Sequence, residues 1–162
     1  MHRSEHARAI AVVLGLTLSP LFPASLAAQE SSGHHTNHSG VFLGVTRLEG
    51  HSSFTVGADY ERRLPIAHER VAVGALIDAA VGDEPKHVIV AATLSFRPME
   101  TVKLLVAPGV EFAHGLREAL FRAGAAADIA HLGPLTVSPG LFFDFVGGHT
   151  ATVFGLTFGA GF

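Results

Sequence analysis

Four histidines, His51, His87, His114 and His149, stand far apart in the chain, each in or beside a segment rich in Gly, Ser, Asp or Pro. His34, His35 and His38 add three more near residue 40. Neutral imidazoles bind zinc, copper or nickel, and protonation near pH 6 would add positive charge. Their spacing is loose and no carboxylate is fixed beside them, so solvated turn histidines are the ordinary reading; metal or pH sensing is the alternative. A second set is more regular. Six acids (Asp59, Glu61, Asp78, Glu111, Asp128, Asp144) and five bases (Arg63, Arg70, Arg97, Lys103, Arg122) recur on the polar side of alternating segments. A buried charge is costly unless it is paired and hydrogen-bonded, so near-cancellation is what a packed polar interior requires. No nucleophile, base and orienting group come together as a supported set, so neither catalysis nor a cofactor is expected.

The elements that carry these charges follow from period-two patterning, in which residues i, i+2 and i+4 share one face of a strand. Phe54, Val56, Ala58 and Tyr60 alternate with Thr55, Gly57, Asp59 and Glu61. Val71, Val73, Ala75 and Ile77 alternate with Ala72, Gly74, Leu76 and Asp78. The same pattern runs through Val88–Phe96, Leu104–Phe112, Phe121–Ile129, Leu135–Phe145 and Phe154–Phe162, and a first run, Val41 to Leu48, is ambiguous in facing. Eight segments of about 8–12 residues result. At roughly 3.3 Å per residue and a tilt near 40°, ten residues climb about 25 Å, the height of an outer-membrane apolar band. The connections at 49–52, 64–69, 82–85, 98–101, 115–118, 132–134 and 147–149 are short and turn-rich, as up-and-down hairpins need.

Bulk properties narrow the class. The 162 residues suit one domain, and with 48% hydrophobic and 15% charged residues general disorder is excluded. A net charge of −3 argues against nucleic acid as a partner. Cysteine is absent, which removes disulfides, zinc-thiolate sites and cysteine catalysis. Residues 1–28 read as a signal peptide: Arg3 and Arg8 precede the apolar run Ala9–Leu16, and Ser25-Leu26-Ala27-Ala28 offers small residues for cleavage. Residues 29–40 (QESSGHHTNHSG) read as a disordered, His-containing tail, and residues 41–162 as the folded domain.

Alternation alone does not say which face meets solvent. The polar face is lined with Gly44, Gly57, Gly74, Gly109, Gly124, Gly140 and Gly155, with Ala91 in the remaining segment. Glycine weakens a solvated strand, but inside a narrow closed barrel it makes room for long neighbours. The balanced charges and glycines therefore turn the polar face inward and the apolar face toward lipid. The predicted fold is all-β: an eight-stranded antiparallel up-and-down transmembrane β-barrel with a filled polar lumen.

The chain ends on Phe162 with Phe154, Leu156 and Phe158 in step before it. That last strand resembles the C-terminal assembly signal of bacterial outer-membrane proteins. Together with the export segment and eight strands, the chain resembles the small OmpA-type or OmpX-type barrels. The resemblance implies a Gram-negative outer membrane, contact with its lipid, assembly by the barrel-assembly machinery through that strand, and a monomer. It also implies periplasmic termini, which put Arg63, Arg70, Arg97 and Lys103 near the periplasmic end and Asp78, Glu111, Arg122 and Asp144 nearer the external end. Glu111 and Arg122 are expected to face each other across one hairpin. Tryptophan is absent and Tyr60 is the only tyrosine, so phenylalanines must supply the interfacial girdles. An interior just wide enough for side chains favours a salt-bridge plug over a pore. The expected function is a non-enzymatic structural or surface-interaction role in the envelope. Two alternatives are a lipid A-modifying enzyme, either an acyltransferase with His51, Ser52 and Asp83 as weak candidates or a deacylase with His51-Ser52-Ser53 as a weak local match, and a soluble periplasmic small-ligand carrier.

Overall fold

A computed structural model of the chain describes residues 35–81, 87–113 and 115–162. The predicted signal peptide, residues 29–34 of the predicted tail, the 82–85 turn with Asp83, and His114 lie outside the described residues. The described residues form nine strands: β1 Asn37–Leu48, β2 His51–Arg63, β3 Val71–Val81, β4 Val88–Met99, β5 Val102–Ala113, β6 Leu116–Ala127, β7 Ala130–Leu132, β8 Leu135–Val146 and β9 His149–Gly161. Consecutive strands from β1 to β6 pair antiparallel, β6 pairs with β8, β8 with β9, and β9 with β1. The sheet therefore closes on itself. β7 is a three-residue continuation of the β6 stave and pairs with the start of β8, below the point where β6 leaves it. Eight staves remain, as the alternation predicts. Backbone bonds of 3.0 and 3.1 Å between Asn37 and Phe162 tie the last residue to the first strand.

Paired residues lead from Ala126 through Gly140, Gly155, Gly44 and Thr55 to Ala80. From the adjacent Ala79 they continue through Val88 and Phe112 to Arg117. A circuit that leaves β6 near its end thus returns near its start, so the staves are steeply tilted, as closure of a small barrel demands. Three tight connections share one end, at Glu49-Gly50, at Gly115 and at Gly147-Gly148, with positive φ at Glu49 (49°), Gly50 (89°), Gly115 (77°), Gly147 (56°) and Gly148 (83°). Left-handed backbone is what two-residue hairpin loops need.

Several strands run into the expected connections, as β2 does from His51, β4 to Met99 and β9 from His149, and two further boundaries bear on the lumen. β1 begins at Asn37, so the last four residues of the predicted tail belong to the barrel. Their polarity misled the reading because His38 and Gly40 sit on the lumen side, where polar residues are admitted. β6 begins at Leu116, because Ala113 pairs with Leu116 and the turn is two residues rather than the expected 115–118 segment.

The facing of the later strands is as predicted, and β1, ambiguous in sequence, turns Val41 and Leu43 outward. Val41, Leu43, Phe54, Val73, Ile77, Val90, Leu94, Val106, Leu141 and Phe154 all point outward and are exposed. Phe112, Phe121, Phe143 and Phe145 ring the end with the tight turns, and Phe121 and Phe145 are cross-strand partners with ring centroids 6.4 Å apart. Tyr60, Phe96 and Phe158 sit toward the opposite end, where the Tyr60 hydroxyl donates to Asn37 Oδ1 at 2.9 Å. Phenylalanine thus takes the girdle positions in a chain without tryptophan.

Candidate functional site

The lumen is filled in layers. Arg122, buried on β6, donates from Nε to Asp144 Oδ1 at 2.6 Å and from Nη2 to Asp144 Oδ2 at 2.9 Å, a two-pronged bond to its β8 register partner. Its third bond, from Nη1 to Asp78 Oδ2, crosses the lumen to β3. All three groups are nearly solvent-free, at 3% exposure for Arg122, 4% for Asp78 and 1% for Asp144. Gly57 makes this possible: a β-carbon there would run into Asp78 Oδ1.

Beside this triad lies an apolar layer of Phe42, Leu76, Leu105 and Phe142, with the two rings edge-to-face at 6.2 Å and 75°. The Arg122 guanidinium stands 5.7 Å from the centre of the Phe142 ring. Glycines bed both rings. A β-carbon on Gly44 would meet Phe42 Cζ at 2.5 Å, and one on Gly140 would meet Phe142 Cε2 at 2.6 Å. The inward glycines therefore serve aromatic rings as well as long charged side chains, and the lumen is filled by apolar packing as well as by charge.

Toward the terminal end Lys103 Nζ donates to Glu61 Oε1 at 3.3 Å, with both groups buried. Asp59 and His38 stand side by side, His38 Nδ1 3.9 Å from Asp59 Oδ2. Arg97 Nη1 donates to Asp128 Oδ2 at 2.9 Å, and Ser138 Oγ donates to the other oxygen of that carboxylate at 2.6 Å.

Most of the charged set is thus brought inside, with three corrections. Glu111 does not face Arg122. The pairing of Ala113 with Leu116 puts Glu111 opposite Glu118 and Arg122 opposite Ala107, and Glu111 accepts from His87 Nδ1 at 2.6 Å instead. Arg70 is exposed on the segment before β3, because the strand starts one residue later, at Val71. Arg63 is half-buried at the very end of β2 and borders the lumen rather than filling it.

Above the triad the lumen opens into a vestibule of about 190 Å³ at the end with the tight turns. Thr46 and Thr55, bonded to each other at 2.7 Å, Ile89, Leu120, Val146 and Ala151 line it, and Arg122, Asp78 and Asp144 form its floor. His51 and His87 line the same space. His149 Nδ1 pairs with Glu49 Oε1 at 2.7 Å on the exposed rim. Three of the four turn histidines therefore gather around one mouth, yet among the described residues no three His, Asp or Glu side chains group to hold a metal. Ser52 lies on the opposite face of β2 from His51, while Ser53, two residues from His51, lines the vestibule with it.

Sequence reasoning missed Phe42 and Phe142. The signal was present in the glycines at 44, 140 and 155, which stand in one paired row across β1, β9 and β8.

No family model matches the chain, and no curated protein matches it. Solved structures do. A de novo designed barrel, TMB2.3, solved by NMR, aligns with a TM-score of 0.57 at 13% identity over 77% of this chain and 95% of its own. A second designed transmembrane β-barrel aligns at 0.54, with 10% identity over 76% and 95%. The outer membrane protein Ail of Yersinia pestis, in a phospholipid bilayer nanodisc, aligns at 0.52, with 12% identity over 78% and 99%. At such identities the likeness is one of fold. The chain is a small, closed, eight-stranded antiparallel barrel with the architecture of transmembrane β-barrels.

Proposed function

We propose that this barrel resides in a bacterial outer membrane and serves the envelope as a non-enzymatic structural or surface-interaction protein. The observation that carries the reading is the outer wall. Leu94, Val90, Val106 and Leu141 point away from the lumen at mid-strand, while the charges are paired inside. A wall of that kind is unfavourable in water and favourable in lipid. Strands of 11 to 13 residues are long enough to cross the roughly 25 Å band when tilted. The short turns then face outward and the termini face the periplasm. Export on residues 1–28 and assembly through Phe154, Leu156, Phe158 and Phe162 belong to the same reading.

Fractionation with gel mobility tests it. The expected result is recovery with outer membranes and a folded band that shifts on boiling. Recovery in the periplasmic fraction without detergent would contradict it. Lipid A mass profiles unchanged by expression are expected of a protein without lipid-modifying activity.

A further inference from the structure

We infer that the vestibule binds a small organic cation, a protonated amine carrying a short apolar body. The cavity exceeds the water-sized gap of about 30 Å³ deeper in the lumen beside Phe42 and Phe142, and its about 190 Å³ is room for a molecule smaller than a typical drug-sized ligand. Its wall offers two chemistries. Ile89, Leu120, Val146 and Ala151 provide apolar surface, while the Thr46–Thr55 pair provides hydroxyls.

Charge decides the class of ligand. Among the described residues lining the space, four carboxylates (Glu49, Asp78, Glu111, Asp144) stand against the Arg122 guanidinium and the imidazoles of His51 and His87, with Glu111 bonded to His87 and Glu49 to His149. The floor itself is unbalanced, because two buried aspartates share that single arginine. An excess negative charge in a desolvated site is unfavourable until a proton or a cation joins it, and a recess whose carboxylates outnumber its cationic groups draws a cation in. Metal ions fit poorly here, since no three ligating side chains converge among the described residues. An ammonium group directed at the floor, with its methylenes against Ile89 and Leu120, satisfies both halves of the wall. The proposal depends on the outer-membrane reading only for the side of the membrane on which the mouth opens.

The test is calorimetric titration of the folded, full-length barrel in nonionic detergent with n-butylammonium, butyrate and n-butanol. Saturable one-to-one binding is expected for n-butylammonium, with butyrate and butanol at least about tenfold weaker. Val146→Phe narrows the cavity and abolishes binding while the heat-modifiable gel shift persists. Glu111→Gln, nearly isosteric, weakens it roughly fivefold or more by removing one nearby charge. Equal binding of butyrate, absence of saturable binding, or affinity unchanged in Glu111→Gln would each overturn the proposal. Loss of membrane fractionation would instead overturn the outer-membrane reading and leave this result standing.

Discussion

Arg122 is the residue on which most of the lumen depends. It neutralises Asp144 with two bonds and Asp78 with a third, and it faces the Phe142 ring. Removing one partner of a buried ion pair leaves an uncompensated charge, at a cost of about 3–5 kcal/mol. Arg122→Ala is accordingly expected to lower stability by that amount in urea unfolding of the detergent-folded barrel. Adding Asp144→Asn should recover part of the loss; an unchanged midpoint in the single variant would remove Arg122 from this role. That these charges share one face was legible from parity, and that the face turns inward was legible from its glycines and its charge balance. Their partners were not, since the Arg122–Asp78 contact crosses the lumen between β6 and β3. No property of a single strand encodes that crossing. Phe142 was hidden for a related reason: it stands between outward Leu141 and Phe143, and an apolar residue on each face leaves alternation with nothing to report.

At the scale of the strand and its turn, glycine has two separable tasks. Gly115 holds φ 77° in a tight turn, and a β-carbon there would touch nothing within 4 Å. Gly115→Ala should therefore cost only the left-handed backbone penalty, about 1 kcal/mol. Gly44 is the reverse case. Its β-carbon would come within 2.5 Å of both Phe42 Cζ and the Phe154 carbonyl oxygen, so Gly44→Ala should cost about 1–3 kcal/mol through overpacking. Shortening the ring in Gly44→Ala/Phe42→Leu should recover some of that, whereas Phe42→Leu should not relieve Gly115→Ala. Denaturant midpoints of the four variants check the contrast, and equal rescue would contradict it. The strands themselves were legible because their period is two. The hairpin registers were not, because moving a turn by two residues preserves every facing while changing every partner, which is how Glu111 exchanged Arg122 for His87.

For the whole molecule, the Phe42–Phe142 layer between two sets of ion pairs closes the bore, while the vestibule opens at one end only. Planar-bilayer recordings should show no steady ohmic conductance; a reproducible open channel would contradict a filled lumen. The eight-stave architecture could be read before any coordinates, but the vestibule could not, because it exists only where residues from β1 to β9 converge around one mouth. The central claim is that the apolar wall meets lipid, and the chain's lack of tryptophan allows a direct measurement of it. A single tryptophan placed by Leu141→Trp, outward at mid-wall, should emit at short wavelength in bilayers and be quenched by brominated lipid, whereas one placed by Thr93→Trp, inward on β4, should escape that quenching. Emission from Leu141→Trp that is quenched by aqueous iodide and untouched by brominated lipid would contradict the account.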